Sequence, residues 1–199
     1  MFFYACCKFI LIFVTGKYLP QKMKLFTGIE ITQDFITPFS ELKTNNRHLN
    51  GIRWNKPENF HITTYYLGET LPIKLNEIIQ KLESVTLQHP TIVLTYKRLG
   101  FSPGKNPNML WAYFKLNPEF QKLCNDIANS AQSAMPARYK PTPHISIARL
   151  KKSHRYYQPN FDIESPLFLK SNKLCLWESI GNKYKCIKRF DLGNSDTTK

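Results

Sequence analysis

Two short segments of the sequence, one in each half, place a histidine two residues before a hydroxyl side chain. The first is Phe60-His61-Ile62-Thr63 and the second is Pro143-His144-Ile145-Ser146. Both segments are typical of β-strands, in which residues i and i+2 share a face, so each imidazole is expected beside a hydroxyl. Imidazoles that titrate near neutral pH can act as an acid and a base, while hydroxyls donate to phosphate oxygens. Two such strands side by side could therefore cleave a phosphodiester without a metal ion.

The pairing of the two segments is more informative than either segment alone. A single His-x-Thr in a strand is usually structural. Here each histidine begins a predicted strand, and each strand belongs to the corresponding half of a pseudo-repeat. The matched pair favours a catalytic site.

The elements around these segments alternate strands with a few helices, and the second half repeats the plan of the first. Alternation with period two predicts the strands, and apolar residues at helical spacing predict the helices. Asn117 is a candidate N-cap, with Pro118 in the first turn. The order of elements predicts an α+β fold, a sandwich of sheets with the helices packed outside. The predicted strands are 24–31, 60–67, 91–99, 109–116, 144–150, 167–177 and 184–192, the predicted helices are 32–43, 75–87 and 117–135, and residues 45–59 are predicted to form a loop.

Composition and charge limit the class of protein. The 199 residues fit one domain, and a hydrophobic share of 42% supplies a core and excludes a disordered chain. The formal net charge of +14 favours a polyanionic partner: nucleic acid, a nucleotide or an anionic membrane surface. The five cysteines form no CxxC pair and have no regular spacing, which argues against a disulfide framework and a zinc knuckle. This sparse set fits reduced thiols, so we expect a cytoplasmic protein.

Residues 1–22 differ from the rest of the chain. They contain no acidic residue, and Lys8 and Lys17 leave too few consecutive apolar residues for a membrane span. A secretory signal would need a basic start and a small-residue cleavage site, and neither is evident. We expect an extension at 1–22, disordered or upstream of the true start at Met23, then a domain at 23–192 and a tail at 193–199. Without the three lysines of the extension, residues 23–199 still carry +11, which favours nucleic acid over lipid.

Further short motifs surround the two histidine segments. They are Arg53-Trp54, Pro57-Glu58-Asn59, Leu67-Gly68-Glu69, Gly100-Phe101, Leu110-Trp111-Ala112, Ile147-Ala148-Arg149-Leu150, Leu176-Trp177-Glu178-Ser179 and the closing residues 184–192. Together they resemble the 2H phosphoesterases, and among them the RNA 2′,3′-cyclic phosphodiesterases, also called 2′-5′ RNA ligases. The resemblance runs from about Met23 to Leu192. It departs from the family at Ser146, where threonine is common, and in the additional N-terminus; serine keeps the hydroxyl but loses the methyl that stiffens the rotamer.

The resemblance implies a fold, a reaction and a site. The fold would be bilobal and pseudo-duplicated, with an antiparallel sheet and outer helices in each lobe and a central cleft that holds both motifs. The substrate would be RNA that ends in a 2′,3′-cyclic phosphate, and hydrolysis would leave a 2′-phosphate. His61 would be the proton donor to the departing 3′ oxygen, and His144 the proton acceptor that activates water. Thr63 and Ser146 would hold the non-bridging phosphate oxygens.

Other residues are candidates for binding. Arg149 lies five residues after His144, so a regular strand would place it on the opposite face; it could still bind phosphate where the strand bends, and a salt bridge is the alternative. Tyr65 shares the parity of the first motif and is expected to line the cleft, although strand aromatics are more often core. Trp54 could stack on a base, with core packing as the alternative. The basic residues expected near the cleft edge are Lys97, Arg98, Lys105, Lys140, Lys151, Lys152 and Arg155.

Two alternatives remain open. A related 2H enzyme could act on another cyclic nucleotide or on a 2′-5′ linkage, including the reverse ligation, with the same histidines. A basic RNA-binding module without catalysis would keep RNA binding after both histidines are replaced. For the favoured enzyme we expect no cofactor, no metal and a bell-shaped pH dependence. We also expect RNA or oligonucleotide ends as partners, no membrane, no obligate protein partner and a monomer.

Overall fold

The computed structural model describes residues 21–46, 50–104, 106–131, 141–151, 167–181 and 183–193. The expected extension, apart from its last two residues, and nearly all of the expected tail lie outside the described residues. Within the described ranges no helix combines the length and apolarity needed to cross a membrane. The strands are β1 (Met23–Glu30), β2 (Ile52–Trp54), β3 (His61–Thr70), β4 (Ile92–Ser102), β5 (Met109–Phe114), β6 (His144–Leu150), β7 (Phe168–Ser171), β8 (Lys173–Ile180) and β9 (Lys183–Asp191), and the helices are α1 (Gln33–Asn45), α2 (Leu75–Thr86) and α3 (Pro118–Ser130).

The strands form two antiparallel sheets. Sheet I has the order β3-β1-β8-β9, and sheet II has the order β2-β6-β5-β4-β7. All of the pairings within them are antiparallel. Each sheet contains one of the two histidine strands, so the predicted α+β, pseudo-duplicated architecture is confirmed.

The helices tie the two sheets together through one hydrophobic core. α1 follows a strand of sheet I, yet its Phe35 stacks on Phe114 of sheet II with ring centres 5.4 Å apart. α3 follows a strand of sheet II and packs against β3 of sheet I and against α2. One cluster of buried apolar side chains therefore includes residues of both sheets and of all three helices. Burial of this kind is the main favourable contribution to folding.

Local sequence explains how the helices begin and continue. The Asn117 side chain caps α3, because its Oδ1 accepts a hydrogen bond from the Phe120 backbone N–H at 2.7 Å, and Pro118 occupies the first turn. The predicted cap is thus confirmed. α1 continues through Pro38 because Phe35, Phe39 and Leu42 form a buried stripe on either side of it. Packing of an apolar face can outweigh the hydrogen bond that a proline removes.

Two of the predicted elements were wrong. The segment expected to be a loop at 45–59 contains β2, which adds an edge strand to sheet II by pairing with β6. The single strand expected at 167–177 is two strands, β7 in sheet II and β8 in sheet I. Only Asn172 separates them, so the chain passes from one sheet to the other within one residue. Propensity cannot show this break, because both halves are equally rich in strand formers.

Candidate active site

The first histidine strand, β3, lies at the edge of sheet I beside β1. His61 is directly opposite Glu30, and Thr63 is directly opposite Gly28. The next pair is Tyr65 with Thr27, which leaves Thr64 as an additional residue on β3, a β-bulge. The bulge is fixed by a buried hydrogen bond of 2.8 Å between the Thr27 and Thr64 hydroxyls.

The second histidine strand, β6, has the same construction beside β5. His144 is opposite Tyr113, and Ser146 is opposite Trp111. The next pair is Ala148 with Leu110, so one residue of β6, at position 147, is additional. In both strands the bulge comes directly after the hydroxyl residue of the motif.

Each bulge reverses the parity of the residues that follow it, and this overturns two expectations. Arg149 is opposite Met109, which shares a face with Trp111 and therefore with Ser146. The expectation that Arg149 lies on the opposite face from His144 is wrong.

The second correction concerns Tyr65, which was expected to share a face with His61. It pairs with the fully buried Thr27 and packs against the main core. The next residue, Tyr66, is opposite Phe26 on the histidine face and is 58% exposed. Sequence reasoning missed Tyr66 because a single additional residue leaves no signal in the alternation pattern. Tyr66 and Arg149 each lie five residues after a motif histidine.

Each of the two imidazoles makes the same kind of hydrogen bond to the backbone. His61 Nδ1 lies 2.8 Å from the backbone oxygen of Asn59, and His144 Nδ1 lies 2.9 Å from that of Thr142. A carbonyl oxygen only accepts, so in each ring Nδ1 carries the hydrogen. Each Nε2 is therefore left to accept a proton when the ring is neutral, or to donate one when it is charged.

An aromatic wall surrounds His61. Its ring centre lies 4.9 Å from that of Phe26, 5.3 Å from that of Trp177 and 5.0 Å from that of Tyr184. Tyr184 comes from β9, at the far edge of the sheet from β3, so sheet I curls enough to bring its two edge strands together. Gly28 permits the close packing, because a β-carbon there would lie 2.9 Å from the Trp177 ring. Loss of hydration among these rings lowers the pKa of His61 to about 4, against the hydrogen bond to Asn59, which raises it.

His144 has a different neighbourhood. It stacks on Trp111 with ring centres 3.7 Å apart and an angle of 22° between the planes. Burial lowers the pKa of His144 below its ordinary value, and the hydrogen bond to Thr142 opposes this change. At pH 7 the free protein therefore keeps both imidazoles neutral.

The two histidines are coupled across the sheets. β3 of sheet I is in contact with β6 of sheet II. Repulsion from a charged His144 contributes to the lowered pKa of His61. Protonation of one ring therefore disfavours protonation of the other, as in a pair that shares one proton.

Cationic side chains extend the histidine face of sheet II. Arg98 is opposite Tyr113 in the row that contains His144, and its guanidinium carbon lies 4.6 Å from the centre of the Tyr113 ring. A β-carbon at Gly100 would collide with this guanidinium, so the glycine makes room for it. Arg149 has no carboxylate partner in the part of the chain that the structure describes. Of the other basic residues expected near the cleft edge, Lys105, Lys140, Lys152 and Arg155 lie outside the described residues.

The remaining candidates are on β2. Trp54 is opposite the buried Ala148 and packs against the main core, which favours the packing alternative over a contact with RNA. Its neighbour Arg53 is exposed and lies directly opposite Arg149. The sequence places Arg53 in one of the short motifs but gives it no role, because β2 itself was not predicted.

The described residues contain no cluster of three or more His, Cys, Asp or Glu side chains suited to a metal ion. The carboxylate nearest to His61 in the register, that of Glu30, is bound by Arg189 at 2.9 Å. The site consists of two imidazoles, two hydroxyls, aromatic rings and arginines. Side chains of these types can bind an anion and exchange protons with it.

Comparison with known proteins gives consistent results. A family model described as LigT-like phosphoesterase matches residues 29–111. An RNA 2′,3′-cyclic phosphodiesterase of Thermotoga maritima is 28% identical over 133 residues, which cover 65% of this chain and 71% of that protein. The protein of the same name from Aquifex aeolicus is 26% identical over 157 residues, covering 71% and 82%.

Solved structures show the same fold. TT0787 of Thermus thermophilus superposes with a TM-score of 0.74 at 20% identity and covers 87% of this chain and 100% of its own. E. coli LigT complexed with 3′-AMP gives a TM-score of 0.66 at 18% identity, covering 86% and 99%. At these identities the likeness concerns the fold alone.

Proposed function

We propose that this chain, which is similar to the LigT-like phosphoesterases, hydrolyses 2′,3′-cyclic phosphate ends of RNA to 2′-phosphates, with His61 and His144 as the acid–base pair. The observation that carries the proposal is the repeated construction of the two motifs. In both, a backbone carbonyl two residues earlier fixes the Nδ1–H tautomer, and a hydroxyl follows two residues later on the same face. One free Nε2 on each side of a bound phosphorus is what an in-line displacement needs.

In the proposed reaction, His144 Nε2 removes a proton from water as the water oxygen attacks phosphorus. The bond between phosphorus and the 3′ oxygen breaks, and His61 Nε2 donates a proton to that oxygen. The product carries a 2′-phosphate and a free 3′-hydroxyl. The two histidines then hold each other's starting protonation state, and one proton passing between them through solvent resets the site.

Thr63, Ser146 and Arg149 would bind the non-bridging oxygens, where negative charge increases in the transition state. Hydrogen-bond donors aimed at that charge accelerate the reaction because they need no reorganisation at the moment of transfer. Arg149 can supply a bidentate, charge-assisted contact, and its position on the histidine face supports this role. The proposed role of Arg149 thus follows from the bulge in β6.

His61 must take up the proton that it later donates when the substrate binds. The free protein holds His61 neutral at pH 7, because its pKa is about 4. A bound phosphate anion favours the charged form of a nearby imidazole. Once protonated among the aromatic rings, His61 is a strong acid, since its surroundings favour the neutral form that remains after donation.

The experiment that tests the proposal maps the phosphate of the product. Purified protein is incubated with an oligoribonucleotide that ends in a 2′,3′-cyclic phosphate, with and without EDTA. We expect a 2′-phosphate end in both cases. A 3′-phosphate end, an unchanged cyclic end, or turnover that chelation abolishes and zinc restores would contradict the proposal. Joined oligonucleotides carrying a 2′-5′ linkage would identify the reverse ligation instead.

A further inference from the structure

Two arginines face each other across neighbouring strands of sheet II. β2 pairs with β6 so that Arg53 lies directly opposite Arg149, and both side chains are exposed. The β-carbons of such a pair are about 4.5–5.5 Å apart, and like charges in this position destabilise a sheet. Among the described residues, neither guanidinium has a hydrogen bond or a carboxylate partner. An anion bound between the two would offset their repulsion.

The backbone around Arg53 is anchored by packing and by hydrogen bonds. On either side of it, Ile52 and Trp54 pack against the main core. The following residue, Asn55, donates its backbone N–H to the oxygen of Ile147 at 2.9 Å and its side-chain Nδ2 to the oxygen of Ser146 at 2.7 Å. These bonds attach the end of β2 to the bulge of β6. The Arg53 guanidinium therefore extends from a fixed position on the histidine face.

Arg53 lies beside the reaction centre and not in it, with Arg149 between the two. Ser146 is opposite Trp111, and Arg149 is opposite Met109, two residues further along β5. Two residues of a strand span about 7 Å, which is comparable with the spacing of successive phosphates in a nucleic-acid strand. Arg149 is long enough to turn toward either position, whereas Arg53 is one strand further from the histidines.

We propose that Arg53, next to Arg149, binds the phosphate on the 5′ oxygen of the terminal nucleotide, the phosphodiester that precedes the cyclic end, while Arg149 remains on the reacting phosphate. The inference rests on the proposed function, because it places the cyclic phosphate at the histidines. It identifies the substrate class as a chain end, since a free nucleoside 2′,3′-cyclic phosphate has no group for this position. The planar guanidinium suits a phosphate because it can donate two parallel hydrogen bonds.

The test compares adenosine 2′,3′-cyclic phosphate with the same compound carrying a 5′-phosphate. The variant is Arg53→Gln, and the matched control is Lys170→Gln, which removes one positive charge from β7 at the other edge of sheet II. We expect R53Q to lower kcat/KM for the 5′-phosphorylated substrate about 10- to 100-fold, the range for a lost charged hydrogen bond, mainly through KM. We expect turnover of the unphosphorylated substrate to stay within about twofold, and K170Q to change neither value by more than this.

Equal losses on both substrates would overturn the inference, because Arg53 would then act on the reacting phosphate or on the fold. No loss on either substrate would overturn it as well. A binding measurement keeps the test independent of turnover: adenosine 2′,5′-bisphosphate and adenosine 2′-phosphate are titrated calorimetrically into wild type and R53Q. We expect wild type to bind the bisphosphate at least about tenfold more tightly and R53Q to lose this preference.

These arms separate the two proposals. Wild-type protein that turns over neither cyclic compound would contradict the proposed function, while a 5′-phosphate preference that depends on Arg53 would still support the anion site. Equal affinity of wild type for the two adenosine phosphates would overturn the anion site even if hydrolysis is observed.

Discussion

The His61 strand of sheet I and the His144 strand of sheet II have the same backbone plan and different surroundings. In both, the imidazole donates Nδ1–H to the carbonyl two residues earlier, and a bulge follows the hydroxyl residue. Around His61, however, the neighbours are three aromatic rings, whereas Trp111, Arg98 and Arg149 share the face with His144. The backbone thus orients the two imidazoles in the same way, whereas the aromatic side chains around His61 are uncharged and the side chains around His144 include cations.

The difference continues at the residue five positions after each histidine. The bulges return Tyr66 in sheet I and Arg149 in sheet II to the histidine face. At this equivalent position sheet I therefore has an aromatic side chain, and sheet II has a cation. From this asymmetry we infer that sheet II supplies the cationic contacts to the phosphate, while sheet I supplies a desolvated acid.

The largest expected effect tests what the two halves share. If both imidazoles act on one phosphate, His61→Ala and His144→Ala should each lower kcat by about 10²- to 10⁴-fold, the range for general acid–base catalysis. The double variant should be little worse than either single variant, because residues that act as a unit are not additive. Steady-state kinetics on a cyclic-phosphate oligonucleotide checks this, with thermal melting to verify the fold. A single variant that keeps more than about a tenth of the rate would show that its half is dispensable.

The next effect tests where the two halves differ. Arg149→Gln should lower kcat/KM about 10- to 100-fold, because it removes a charged contact to phosphate. Its counterpart in the other half, Tyr66→Phe, keeps the ring and should change kcat/KM by less than about threefold. The two variants serve as controls for each other, since they occupy equivalent positions. Equal effects would remove the asymmetry that we infer.

A smaller effect concerns the bulge in β3. Thr64 is 4% exposed, and its hydroxyl is paired with that of the fully buried Thr27. Thr64→Val should lower the free energy of unfolding by about 1 kcal/mol, because the Thr27 hydroxyl loses its bond to Thr64 and keeps only the one to the Tyr65 backbone oxygen. Urea denaturation measures this change.

The matched control for that variant is Thr37→Val, which removes an exposed hydroxyl from α1. It should change the free energy of unfolding by no more than about 0.5 kcal/mol. A Thr64→Val protein that is as stable as wild type would show that the hydroxyl pair does not fix the bulge.

The sequence predicted most of the strands and helices, but it did not predict correctly which sheet face each side chain of the two histidine strands occupies. Alternation and helical spacing identified most strands and all three described helices, and the matched His-x-Thr and His-x-Ser segments singled out His61 and His144. Parity then assigned Tyr65 and Arg149 to the wrong faces, because each bulge adds one residue that no periodicity reveals. The place of Arg53 on a strand was missed for a related reason: a three-residue strand within a polar segment has too short a pattern to detect.

The aromatic wall around His61 also lay beyond sequence reasoning. It gathers Phe26, Trp177 and Tyr184 from three strands that are distant in the chain. Their convergence depends on the curl of sheet I, which is a tertiary property. The lowered pKa of His61 follows from this convergence and not from any local motif.

The most direct test of the paired-imidazole account is the pH dependence of kcat/KM for wild type, His61→Ala and His144→Ala. The reaction needs one proton on the pair. In the free protein the pKa of His61 is about 4, and burial lowers the pKa of His144 from its ordinary value. Raising the pH removes the donor proton and lowering it protonates the acceptor, so wild type should give a bell with its maximum on the acidic side of neutrality. His144→Ala should lose the acidic limb and His61→Ala the basic limb. A wild-type profile with one limb, or a bell that keeps both limbs in the variants, would contradict the account.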